Sequence, residues 1–140
     1  MLQTSPQPDR SMRFLKHSLQ TLLGCKPLWQ GILCLSTLVI IYLATTSEPH
    51  PIPSSASDKV NHFIAFLQLT IVTRLAWPEL SRYWVALGVM SFGLGIEITQ
   101  SQLPYRDFSL LDLAADAVGT GIGLLPFAPL FDAGKRARQT

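Results

Sequence analysis

The chain has 140 residues, 48% of them hydrophobic and 14% charged, with a mean hydropathy of +0.29 and a formal net charge of +2. It is too apolar and too sparsely charged for an ordinary water-soluble domain, and so small a net charge gives no reason to expect a nucleic-acid partner. The length suits one domain. The two cysteines, Cys25 and Cys34, form no CxxC pair and have no histidine cluster beside them, so neither a disulfide framework nor a zinc site is indicated.

Residues 1–27 place Met12, Leu15, Leu19, Leu22 and Leu23 on one helical face and Arg13, Lys16, His17 and Gln20 on the other. That pattern reads as a basic amphipathic segment at a membrane surface; a partly ordered basic tail is the alternative. The first apolar run spans about 28–46, with Trp29 and Tyr42 near its ends and Cys34 expected to pack as a small hydrophobe. It is read as an uncleaved anchor rather than a signal peptide, because it exceeds the usual apolar region of one. Pro49, Pro51 and Pro53, among serines, predict a loop.

The second run, about 60–77, is the most polar, holding Asn61, His62, Gln68 and Arg74, and Trp77-Pro78 closes it. The third spans about 83–103 and stops at Pro104. Ser109-Leu110-Leu111-Asp112 has capping-box spacing and starts a fourth, Ala- and Gly-rich run from about 110 to 131, followed by a basic tail over 132–140. Each run has roughly the 20 residues that a helix needs to cross a hydrocarbon core about 30 Å thick. The fold expected is all-α: a four-span membrane bundle over 28–131. Lys and Arg concentrate before the first run, around the second loop and after the fourth, which puts both termini on the cytoplasmic side. Arg74 and the C-terminal Lys135, Arg136 and Arg138 are assigned to snorkelling and orientation.

That topology gathers ionisable groups beneath the outer face. Asp58, Lys59 and His62 lie at the start of the second helix, Glu97 and Gln100 near the end of the third, and Asp112 and Asp116 at the start of the fourth. Glu97 and Asp116 fall about 9 Å deep by helical rise. The stripes Asp58-Asn61-His62-Ala65-Gln68, Met90-Gly93-Glu97-Gln100 and Asp112-Ala115-Asp116-Gly119-Gly123 each share one face. The small residues Ala115, Gly119 and Gly123 would let a second helix approach closely. Charge at membrane depth is costly and marks functional sites. A pocket opening outward between helices two, three and four is therefore expected.

The series Asp58-Lys59-x-x-His62-Phe63, Glu97-x-x-Gln100, Pro104-x-Arg106 and Asp112-x-x-x-Asp116-x-x-Gly119-x-x-x-Gly123 resembles the VanZ-like family over residues from about 30 to 126. Two positions depart from that family: Asp116 stands where Asn is commoner, and Phe66 where Tyr is common. The resemblance implies a small bacterial membrane protein, with some relatives linked to glycopeptide antibiotic resistance, and it carries no settled biochemical activity.

Asp58, Lys59, His62, Glu97, Gln100, Arg106, Asp112 and Asp116 form the expected ligand-binding cluster. Each has a structural reading beside the functional one. Glu97 either handles a ligand or proton, or pairs with His62, Lys59 or Arg106. His62 either shuttles a proton or packs. Asp58 and Asp112 either join the site or serve their helix starts. Asp116, one turn deeper, shares a proton or hydrogen bond with Glu97 or His62. Arg106 meets an anion, or pairs with Asp107 or Asp112.

No GxSxG, HExxH or Walker-type motif appears. Glu97, His62, Asp112 and Asp116 are residue types found in metal sites, but their spacing is not diagnostic, and no metal or cofactor is expected. The expected partners are membrane lipids, a lipid-linked or cell-wall precursor, or another membrane protein, in a bacterial cytoplasmic membrane. Recognition of an anionic envelope component leads. An intramembrane acid–base enzyme, proton-coupled transport and an assembly role are the alternatives, and the residues leave open whether there is catalysis.

Overall fold

A computed structural model describes residues 18, 21–46 and 55–126, with side chains described from 58 onward in the second stretch. The expectations for most of the N-terminal amphipathic segment, for the loop prolines and for the basic tail lie outside these residues. The fold is all-α. Lys26–Pro126 forms one compact unit of four helices: α1 (Lys26–Thr45), α2 (Ser55–Ala76), α3 (Arg82–Gln100) and α4 (Leu110–Gly123). Residues 21–24, outside that unit, form a helical turn.

Local chemistry sets the boundaries. Pro27 stands in the first turn of α1, where its missing N–H costs nothing. Pro78 follows the end of α2 at Ala76. The α3 chain leaves the helix at Gln100, earlier than the apolar pattern suggested, and turns through 101–105. Ser109 caps α4, its Oγ accepting the Asp112 N–H at 3.2 Å.

The helices run alternately up and down. At one end, Ala44 and Thr45 of α1 meet Gln100 and Tyr105, and Asp58 of α2 meets Arg106. At the other, Lys26 pairs with Glu79 of the α2–α3 turn. There too Arg74 donates to the carbonyls of Gly123 and Leu125, each at 2.9 Å. Arg74 was assigned to snorkelling. The structure corrects this, because the last carbonyls of α4 lack helical partners and its negative dipole end attracts a guanidinium.

Helix α2 is central and packs on the other three, most extensively on α4. A methyl group on Gly119 would run into the Phe63 carbonyl and the Leu67 nitrogen of α2, and one on Gly123 would meet the Thr70 side chain at 2.7 Å. Bare glycine backbone is what lets the two helices approach. Phe66, Leu69, Val85 and Val89 form the buried apolar core, with Leu33, Ile40 and Phe92 against it.

Beside this apolar core the bundle buries acids and exposes many large apolar side chains. Glu97, Asp116 and Thr70 are completely buried, while Leu35, Leu38, Ile64, Leu94, Leu110 and Leu111 are exposed. Helix α1 is apolar all round, yet none of its residues is buried within the chain. Cys34 is exposed on it rather than packed. Hydroxyls of Thr37, Thr70, Thr73 and Thr99 turn back to carbonyls four residues earlier, which satisfies them without solvent.

The runs are not equivalent as spans. Among the described residues only α1 is by itself long and apolar enough to cross a membrane. The fourth run was expected to reach 131, but α4 has 14 residues and ends before Pro126. At about 1.5 Å per residue that is about 21 Å, short of the roughly 30 Å core.

Gly119→Ala is expected to lower stability by about 1–3 kcal/mol, because α2 backbone cannot yield as a side chain can. Gly95 has nothing within 4 Å of its added carbon, so Gly95→Ala should be neutral or stabilise by up to about 1 kcal/mol. Thermal unfolding of both variants, followed by circular dichroism, checks the contrast.

Candidate functional site

The deepest part of the site is a hydrogen bond between α2 and α4. His62 Nδ1 lies 2.9 Å from Asp116 Oδ1, with the carboxylate wholly buried and the ring nearly so. The ring is held from below by stacking: His62 and Phe66 are 6.5 Å apart at 11°, and Phe66 and Phe92 are 6.2 Å apart at 29°. Gly93 makes the room. A methyl group there would lie 2.8 Å from both Asp116 Oδ2 and the Phe66 ring edge.

Glu97 takes a partner that side-chain reasoning missed. Its Oε2 accepts the Ser109 N–H at 2.8 Å, tying α3 to the start of α4. The expected pairing of Glu97 with His62, Lys59 or Arg106 is not among its hydrogen bonds or ion pairs in the described residues. A backbone donor freed by a helix start leaves no side-chain signature in sequence. The second oxygens of both buried acids, Glu97 Oε1 and Asp116 Oδ2, have no hydrogen-bond partner among the described residues.

Nearer the end of the bundle lie two ion pairs. Lys59 Nζ lies 3.5 Å from Asp112 Oδ1, and Arg106 Nη1 lies 3.6 Å from Asp58 Oδ2. The sequence reading pairs Arg106 with Asp107 or Asp112; the structure gives it Asp58 instead, since the α3–α4 turn folds over the start of α2. Gln100 reaches α1, its Nε2 donating to the Ala44 carbonyl at 3.2 Å. All eight residues singled out from sequence thus sit at one end of the bundle, though Gln100 is turned toward α1 rather than toward the acids.

The open space lies elsewhere than expected. A cavity of about 590 Å³ is lined by Leu35, Val39 and Leu43 of α1, Ile64 and Phe66 of α2, and Ile96 of α3, among others, with Asp58, His62 and Arg106 at its polar end. Where α2, α3 and α4 meet, Gly93, Gly119 and Gly123 draw the helices into contact. Sequence reasoning also missed Ser36, which lines this cavity and accepts from Gln68 Nε2 at 2.8 Å. A lone serine in an apolar run gives little signal.

No family model matches the chain, and no solved structure matches it. It is 32% identical over 98 residues to an uncharacterised protein of Schizosaccharomyces pombe, an alignment covering 67% of this chain. The chain spans 60% of that relative's length.

Breaking the buried pair should be costly. His62→Ala leaves Asp116 without its partner and is expected to destabilise by about 3–5 kcal/mol. Adding Asp116→Asn should recover part of that loss, giving a non-additive double-mutant cycle. Asp58→Asn, at a half-exposed pair, should cost under about 1 kcal/mol. Chemical unfolding of the four variants measures all three.

Proposed function

We propose that this chain is a multi-pass membrane protein that holds a lipid, acyl chain and anionic headgroup together, in the cavity between α1 and α2. One observation carries the reading. The cavity wall is mostly hydrocarbon along Leu35, Val39, Leu43 and Ile64, with Ser36 and Gln68 hydrogen-bonded to each other within it, and its charged groups are Arg106, Asp58 and His62. An apolar slot with a few convergent polar groups at one end matches the shape and polarity of a lipid. Arg106 meets the anion and His62 donates a hydrogen bond, Asp116 orients His62, and Lys59, held by Asp112 beside the cavity end, adds positive charge nearby.

The membrane setting rests on the exposed apolar exterior and the polar interior. In lipid, α2 and α3 cross because their polar residues face one another, and the shorter α4 is carried against α2. Lys26, Arg74 and Arg82 cluster at the end opposite the cavity mouth, so the positive-inside rule turns the mouth away from the cytoplasm.

On this reading the chain is akin to VanZ-like proteins through the residues quoted above. A relative in a fission yeast favours a headgroup common to bacteria and fungi, such as a phospholipid phosphate, over a bacterial wall precursor. Glycopeptide resistance would need that wall.

Native mass spectrometry of the gently solubilised full chain tests the reading. Ala65→Trp fills the cavity, and Arg106→Ala removes the cation. Each is expected to lower phosphatidylglycerol occupancy about tenfold, equivalent to about 1.4 kcal/mol. Occupancy unchanged in both variants would contradict the assignment.

A further inference from the structure

We propose that Asp58, His62 and Asp112 form a binding site for one divalent transition-metal ion, with Asp116 as the positioning residue for the imidazole. One ligand atom from each of the three lies within 4.8 Å of the others. Zinc-type ligands sit about 2.0–2.2 Å from the metal, so tetrahedral ligand atoms lie about 3.3–3.6 Å apart, closer than the 4.8 Å within which the three stand without an ion. A small rotation of half-exposed Asp58 closes the difference.

Three further features of the cluster point to an ion. His62 Nδ1 is engaged by Asp116 Oδ1, which leaves Nε2 as the ring nitrogen available to a ligand. A buried carboxylate on one imidazole nitrogen and a metal on the other is a recurrent arrangement, in which the carboxylate fixes ring orientation and raises ligand basicity. Asp112 is nine-tenths buried, and its Oδ1 accepts no hydrogen bond among the described residues. Lys59 Nζ, at 3.5 Å, stands beyond good hydrogen-bonding length.

One imidazole with two carboxylates suits Mn²⁺ or Zn²⁺ better than Ca²⁺ or Mg²⁺, which take oxygen ligands. Three protein ligands leave coordination positions open, and Asp58 and His62 both line the cavity, so those positions would face an incoming phosphate oxygen. Ion pairing alone would also hold Asp58 and Asp112 in place, through Arg106 and Lys59, and the metal titration separates the two readings.

The probe is the metal alone. The chelator-stripped full chain in detergent, without added lipid, is titrated with MnCl2 and followed by electron paramagnetic resonance. About one ion per chain should bind, with nitrogen couplings from an imidazole. Asp58→Asn and His62→Gln should each weaken binding at least tenfold, and Asp116→Asn about 10–100-fold. Gln102→Ala, in the exposed α3–α4 turn and outside the set, should bind as wild type. Circular dichroism confirms that each variant retains its helices, and Asp58, being half exposed, is the substitution least able to disturb folding. No saturable binding by wild type at millimolar metal, no nitrogen coupling, or unchanged binding in Asp58→Asn and His62→Gln would overturn the site. Because lipid is absent, failure here leaves the lipid reading standing, and success does not depend on it.

Discussion

Asp116 is a carboxylate with no exposure at all, one turn inside a short helix, and the bundle has to accommodate it. Isolated, such a group would be prohibitive to bury. His62 supplies the partner from α2, and that single contact fixes the register of the two most extensively packed helices. Everything near it is arranged to permit the contact. Gly119 and Gly123 bring the backbones together, Gly93 leaves space for the second carboxylate oxygen, and Phe66 supports the imidazole from below. Glu97 then ties the third helix to the same place through the Ser109 N–H.

Closing the interior in this way has a consequence for access. With α2, α3 and α4 drawn tight around their polar residues, the remaining space lies on the opposite side of α2, against α1. That helix is largely apolar, so the wall it gives the cavity is mostly apolar, with Ser36 the exception. The proposed lipid and the proposed metal thus share Asp58 and His62: with Nδ1 on Asp116, His62 Nε2 donates to the headgroup when no ion is bound and ligates the ion when one is. The lipid approaches along the cavity, and the ion sits between α2 and α4.

Much of this arrangement is legible in the sequence where one helix carries its own evidence. The 3.6-residue spacing of Gly93, Glu97 and Gln100, and of Asp112, Asp116 and Gly119, predicts faces that are indeed buried. Pro78 marks the helix end that the structure displays. Partnerships across helices are less readable. Arg106 could have met any of several acids, and Arg74 caps α4 from 49 residues away. The length of α4 is misjudged because hydropathy continues smoothly past Gly123, although Pro126 was an available signal. The position of the cavity depends on how closely each pair of helices packs, which turns on a few glycines rather than on average hydropathy.

The central claim is that lipid surrounds the apolar exterior while the polar end opens on one side only. Thiol accessibility tests it most directly, in a background with Cys25→Ser and Cys34→Ser. Leu80→Cys in the α2–α3 turn and Gln102→Cys in the α3–α4 turn are introduced singly into protein in sealed, oriented vesicles. The account predicts labelling of the two positions by an impermeant reagent from opposite sides, with Gln102→Cys reached from the non-cytoplasmic face. Labelling of both positions from one side, or recovery of the chain in the aqueous fraction without vesicles, would contradict it.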